Sequence, residues 1–274
     1  MTTSEIPAAS PLTTEELDAA GLRLEVAGPV ATVTLDRPDS RNSQTPLMWR
    51  TLARIGASLA DDVRVVVVTG EGPSFSAGLD RRVLDPTASA GQESVADLMT
   101  LSDDEASAAI DAYQQGFTWL RDPRFVSIAA VRGYAVGAGF QLALSCDLIL
   151  AADDARFCMK ESALGLVPDL TGTKPLVERV GYSRALEICV SARMVPAAEA
   201  AALGIATRAV PGDQLDDALA ELVATMTAPL PGAVSETKRV LQGAIAHDLD
   251  TQRRIEREAQ VRRFRELVAL LAGS

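Results

Sequence analysis

From Leu22 to Pro38, apolar and polar residues alternate in "LRLEVAGPVATVTLDRP", the period-two pattern of half-buried strands. Gly28-Pro29 breaks the alternation, so the stretch predicts a hairpin turning there. The period then changes. In "TPLMWRTLARIGASLADD", Leu47, Trp49, Leu52, Ile55 and Leu59 recur at helical spacing, with Thr45 or Gln44 near the helix start. "VRVVVVTG" follows, an unbroken β-branched run that reads as a strand buried on both faces. Strand, helix and strand at this spacing make a βαβ unit.

A polar stretch from Arg81 to about Asp104 predicts a mobile loop with a short helix, covering a site. "EASAAIDAYQQGFTWLRD" predicts an amphipathic helix stopped by Pro123. "RFVSIAAVRG" reads as a buried strand, "YAVGAGFQLALSCD" as a turn into a helix, and "LILAADDARFCM" as a strand and turn. "KPLVERVG" predicts a helix and "RALEICVSARMV" begins a second. Helical stretches fill the remainder, ending in a charged one from about Leu249 to Leu271. No internal repeat is visible. The chain thus divides into a loose arm over residues 1–20, a β/α core over 21–205 and a helical region over 206–274. Within the arm, "TTEELDAAG" is a candidate short helix closed by Gly21. The helical region would seal the core or pack on neighbours.

Composition narrows the class. Apolar residues make up 47% of the 274 residues and aromatics 4%, so the core is built from Val, Leu, Ile and Ala. That suits a doubly covered parallel sheet better than an aromatic-rich sandwich. A net charge of −11 argues against a nucleic-acid partner, which needs a basic face. It leaves room for a small anionic ligand held by local arginines. No apolar run approaches the ~20 residues of a membrane span, and no signal peptide is recognisable, so the expectation is a soluble, cytoplasmic protein. Cys146, Cys158 and Cys189 have no C-x-x-C spacing and read as free thiols. The only histidine, His247, has no serine elbow near it, which argues against a Ser-His-Asp hydrolase. No metal-ligand cluster is present in the sequence.

Two glycine-bearing turns carry the candidate chemistry: "GEGPSFSAGLD" (Gly70 to Asp80) and "GYAVGAGFQ" (Gly133 to Gln141). Both follow predicted strands, and α/β sheets bind ligands beyond the carboxyl ends of their strands. One backbone donor from each turn, converging on one oxygen, would form an oxyanion hole, where a donor is worth ~3 kcal/mol. Taken singly, either turn is equally a device for tight packing. Neither fits the dinucleotide G-x-G-x-x-G pattern. Gln141, one turn into the following helix, is a neutral amide where a proton-transfer catalyst would carry a carboxylate.

Together, "TVTLDRPDSRNSQ", "VRVVVVTGEGPSFSAGLD", "AAVRGYAVGAGFQLALSCDLILAADDARF", "ALGLVPDLTGTKPLVERVG" and "ARMVPAAEAAALGIATRAV" resemble the crotonase family, the enoyl-CoA hydratase/isomerase superfamily. The resemblance runs from about Leu22 to Gln242. It implies an α/β fold, a crotonase-like spiral of ββα units with a C-terminal helical trimerisation region. It further implies a homotrimer or dimer of trimers, an acyl-CoA substrate, and no cofactor or metal beyond the CoA thioester.

By the same resemblance, the N–H groups of Leu79 and Ala138 hold the thioester oxygen of an enolate. Ala138 stands where the family usually has glycine. Family hydratases use two glutamates, whose positions fall here on Gln141 and Glu161. An amide orients water but does not take its proton, whereas moving a proton between carbons needs one base. Some family isomerases use a single glutamate at the Glu161 position. The departure therefore favours isomerisation of an enoyl- or dienoyl-CoA. Hydration of a 2-enoyl-CoA and a non-catalytic acyl-CoA binder stay as alternatives.

Asp169, eight residues after Glu161, matches the second proton carrier of family dienoyl-CoA isomerases and the nucleophile of family arene dehalogenases. Following Pro168, it is equally a candidate helix cap. Arg37, Arg41, Asn42, Ala77 and Arg81, with Arg82 beside them, fall in segments that contact CoA or cover the cleft in this family. Arg41-Asn42 lies where family members cradle adenine with backbone atoms. The terminal "RRIEREAQVRRFRE" departs from the tail typical of hydratases and suits a solvated or intersubunit helix.

Overall fold

Alternate valines of the "VVVV" run face opposite cores. Val66 and Val68 pack with Ala129, Val131, Ile149 and Ala151 on one side. Val65 and Val67 pack with Val126 and Ile128 on the other, under Leu219, Leu222, Val223, Met226 and Val234. A strand covered on both faces has no polar side to show, which is why the run does not alternate. Each such side chain removed from water contributes ~1.5–3 kcal/mol.

The computed structural model of the chain describes residues 12–84 and 94–272. Helix α1 (Thr14–Ala20) leads into the hairpin β1 (Leu22–Ala27) and β2 (Val30–Leu35). Then come α2 (Pro46–Ser58), β3 (Val65–Gly70) and α3 (Asp103–Thr118). Two ββα turns follow: β4 (Val126–Val131), β5 (Tyr134–Val136) and α4 (Ala138–Ser145), then β6 (Leu148–Ala152), β7 (Arg156–Cys158) and α5 (Thr173–Val180). The chain continues through α6 (Tyr182–Ser191), β8 (Val195–Pro196), α7 (Ala197–Leu203) and β9 (Arg208–Val210). It ends in α8 (Leu215–Thr227), α9 (Pro231–Gly243) and α10 (Leu249–Ala272).

Six strands in the order β1-β2-β3-β4-β6-β9 form the larger sheet, antiparallel only at the β1–β2 hairpin. A smaller sheet has the order β5-β7-β8. Successive strands β4 and β5, then β6 and β7, alternate between the two sheets before each helix. That is the ββα spiral expected from the resemblance.

Thr13 caps α1 through a capping box with Glu16, so Thr14–Ala20 of the stretch read as an arm is a helix with Leu17 and Ala20 buried. Residues 1–11 lie outside the described residues. Of the loop expected over the site, residues 85–93 also lie outside them, while Val95–Thr100 form a 3-10 helix. Helix α6 stops at Ser191, short of the "ARMV" assigned to it from sequence, because Ala192 turns left-handed at φ 49°. Among the described residues no helix is long and apolar enough to cross a membrane.

The C-terminal helices are pinned to the sheet by Lys238. Its Nζ donates to Asp122 O (2.7 Å), Phe125 O (2.8 Å) and Asp147 Oδ2 (2.7 Å). All three ammonium hydrogens are thereby matched. Burial lowers its pKa, against the opposing pull of Asp147.

Candidate active site

Both glycine-bearing turns leave the carboxyl ends of parallel strands, and they meet. Gln44 N–H donates to Gly78 O (2.7 Å) and Asp80 N–H to Gln44 O (2.8 Å), which turns the Leu79 amide away from this bridge. Gly78 sits at φ 88°, and a Cβ there would lie 2.4 Å from Val136 O and 3.6 Å from Ala138 N. Only glycine lets the two turns touch. Neither the Leu79 N–H nor the Ala138 N–H donates to an acceptor among the described residues. Ala138 opens α4 behind Gly137, with helical backbone and negative φ, so its methyl group imposes no strain. The pair has the form of a preorganised anion site.

A buried polar network holds the Leu79 turn in place. Ser76 Oγ donates to Asn42 O (2.7 Å) and accepts from Gly78 N–H (3.2 Å) and Gln44 Nε2 (3.1 Å). Gln44 Oε1 takes the Trp49 indole N–H at 2.8 Å. Asp80, just past Leu79, receives Arg37 Nη2 at 2.8 Å and Arg82 Nη2 at 2.7 Å. Hydrogen bonds from Arg82 and Arg37 hold its carboxyl well below the usual carboxylate range, against an opposing desolvation effect.

The acid side faces the other turn. Glu161 opens a 3-10 turn just beyond β7 and is 8% exposed. A Cβ on Gly137 would lie 3.3 Å from Glu161 Oε1, so the carboxyl borders the Ala138 turn. Oε1 accepts from Gln141 Nε2 at 2.7 Å. Oε2 is buried with no hydrogen-bond partner among the described residues. Burial pushes the Glu161 pKa up and the charge of Asp169 pushes it further; the Gln141 hydrogen bond opposes them.

Asp169 does not cap the next helix. Gly172 occupies the N-cap of α5, and no side chain caps it. The Asp169 backbone C=O accepts from Gln114 Nε2 of α3 at 2.6 Å. The residue as a whole is exposed, yet enough protein surrounds the carboxyl for desolvation to push its pKa up.

The residues expected to meet CoA lie together on the segments after β2 and β3, but their side chains differ in freedom. Asn42 is fully buried. Its Nδ2 donates to Glu71 O (2.9 Å) and Ser74 O (2.8 Å), and its Oδ1 accepts from Arg37 N–H (2.9 Å). It has only backbone left to offer a ligand. Arg37 is engaged with Asp80 and with Ser43 O. Arg41 is exposed, with its guanidinium 5.7 Å from the Tyr134 ring centroid. Its carbonyl accepts the Ala77 N–H at 2.8 Å. Ala77 and Arg81 are both exposed at the same edge. No group of three or more His, Cys, Asp or Glu side chains that would hold a metal occurs among the described residues.

Comparison with known proteins now decides the family. The sequence model described as enoyl-CoA hydratase/isomerase matches residues 25–268. This chain belongs to that family. A Thermobifida fusca YX protein assigned as an enoyl-CoA hydratase and solved in complex with CoA is 51% identical. It superposes with a TM-score of 0.90 over 94% of this chain and 98% of that one. A second structure from Thermobifida fusca YX, in complex with acetoacetyl-CoA, is 52% identical, with a TM-score of 0.89 over 93% and 98% of the two chains. The 2,3-dehydroadipyl-CoA hydratase of Escherichia coli K12 is 29% identical over 249 residues, covering 89% of this chain and 88% of its own.

Within this enoyl-CoA hydratase/isomerase family chain, sequence reasoning passed over three polar residues. Ser76 and Asp80 brace the Leu79 turn, and Gln44 joins both to α2 through Trp49. The available signal was their setting: "SRNSQ" and "SFSAGLD" place small polar residues beside otherwise apolar strands. Buried polar groups there demand partners.

Proposed function

We propose that this chain acts on an acyl-CoA thioester by moving one proton, isomerising the double bond of an enoyl- or dienoyl-CoA. The observation that carries the reading is the buried Glu161 carboxyl bordering the Ala138 turn. One of its oxygens has no partner among the described residues, and an amide stands at position 141. Ionised Glu161 removes a proton from the α carbon of a 3-enoyl thioester. The electron pair moves onto the thioester oxygen, giving a dienolate conjugated with the double bond, and the Leu79 and Ala138 amides stabilise the negative charge. Glu161, now neutral, delivers the proton to the γ carbon, leaving the 2-enoyl thioester. A pKa raised by burial brings the carboxyl nearer the value suited to both steps. Complexes of Thermobifida fusca YX proteins with CoA and acetoacetyl-CoA support the substrate class.

Hydration is the second reading. It is favoured by relatives assigned as hydratases and by Asp169, a second carboxyl whose pKa is also raised. Incubation with 2-enoyl-, 3-enoyl- and dienoyl-CoA, followed by absorbance and mass, separates the two. A double-bond shift without mass gain is expected. Water addition to the 2-enoyl thioester as the main reaction would overturn isomerisation. CoA binding with no turnover of any thioester would point to a binder.

A further inference from the structure

The Gln141 amide has one allowed orientation. Leu170 N–H and Gly172 N–H both donate to its Oε1, at 2.9 and 3.2 Å. They converge because Thr171, between them, lies in the left-handed region at φ 70°, so the turn forms a concave nest of donors. A flipped amide would set its NH2 against two N–H groups. Nε2 is therefore the end that meets Glu161 Oε1 at 2.7 Å. Gln141 is wholly buried, and close packing holds its rotamer: a Cβ on Gly172 would lie 2.6 Å from Gln141 Cγ. Ser145 Oγ, which donates to Gln141 O at 2.9 Å, sits 3.5 Å from Thr171 Oγ1.

We infer that Gln141 is a positioning residue: clamped by the Leu170–Gly172 nest, it keeps Glu161 Oε1 an acceptor and confines the travelling proton to Oε2. An N–H donor faces Oε1, and a carbonyl-type oxygen accepts that bond better than a hydroxyl oxygen does, so the proton is favoured on Oε2. Oε2 has no partner among the described residues and is left to exchange with substrate. A glutamate at 141 would behave differently. The nest would hold one of its oxygens ionised, the other would face Glu161 Oε1, and the proton would rest between the two carboxyls. The amide thus serves one-carboxyl chemistry and is more than a lost acid. The other titratable groups around Glu161 are Asp169 on the following loop, Cys158 at the end of β7, Lys160 just beyond it, and Cys189 in α6.

This inference rests on Glu161 being the proton carrier, so its test uses a signal that needs no substrate. In protein labelled with 13C at glutamate side-chain carboxyls, the Glu161 resonance is assigned by its loss in Glu161→Gln and titrated. Gln141→Met removes the hydrogen bond that favours the ionised form, and the midpoint is expected to rise by about one pH unit. Gln141→Glu is expected to raise it further. The acidic limb of kcat/KM for a 3-enoyl-CoA moves in step with the resonance. Gly172→Ala, which pushes Gln141 aside without deleting it, gives an upward shift by a second route and serves if Gln141→Met does not fold. A Glu161 midpoint unchanged in the folded variants overturns the inference. Shifts as expected, together with full turnover in Glu161→Gln, would sink the proposed reaction and leave the positioning role standing.

Discussion

Lys238 and Glu161 are equally buried, each 8% exposed, and burial drives both toward their neutral forms. Their surroundings are opposite. Lys238 spends all three hydrogens on Asp122 O, Phe125 O and Asp147 Oδ2. Glu161 keeps one oxygen without a partner among the described residues. Burial and a displaced pKa are thus common to a structural pin and a candidate catalyst. Unused bonding capacity, beside a turn whose own N–H has no acceptor among the described residues, is what separates them.

The sharpest way to break that contrast is to neutralise each residue. Glu161→Gln is expected to lower kcat by about 10²–10⁴-fold, measured on whichever enoyl-CoA the wild type turns over. Its stability should move the other way. Because the folded pKa of Glu161 is raised, its contribution is fully present below the unfolded value of about 4.3 and is lost as pH rises through the folded pKa. The variant should therefore outlast wild type in denaturant at neutral pH, with the gap closing toward acid; a gap that widens in acid would contradict the assigned direction. Lys238→Met should do the reverse, costing about 3–5 kcal/mol in urea unfolding by leaving Asp147 without its cation. Turnover per folded molecule should survive.

Ala138→Pro sharpens the comparison from the backbone side. Proline is tolerated in the first position of a helix but has no N–H, so kcat should fall about 10²–10³-fold with the helical circular dichroism kept. Normal turnover in a folded Ala138→Pro protein would remove Ala138 from the oxyanion site. The smallest effect is expected from Asp80→Asn, about 1–2 kcal/mol of stability through weakened bonds to Arg82 and Arg37. Since the Asp80 pKa is depressed, that contribution is present above the unfolded value of about 3.9 and fades as pH falls. Unfolding curves of the pair should converge in strong acid.

The sequence carried what depends on local pattern and order along the chain. The "VVVV" strand, the Gly28-Pro29 hairpin and the Thr45-capped α2 follow from periodicity and caps. The strand-then-turn placement of Leu79, Ala138 and Glu161 follows from motif order. Strands of two or three residues, such as β5, β8 and β9, are too short to show a period. The full use of the Asn42 side chain was equally hidden, because its partners Glu71 and Ser74 lie about thirty residues away. So was the orientation of the Gln141 amide, which depends on one left-handed residue, Thr171, in a loop with no repeating pattern. For Asp169, the cap reading fell only when Gly172 proved to be the N-cap.

The missing side chain at Gly172 has a mechanical consequence. Its backbone lies so close to α4 that an added Cβ would come within 3.2 Å of the Gln141 Cα itself, and two hydrogen bonds rivet the same contact. The loop bearing Asp169 and the helix bearing Ala138 are thereby fastened as one stiff plate. A force that displaces the loop is transmitted to the Ala138 turn, so the spacing between Asp169 and the Ala138 N–H is set by the frame.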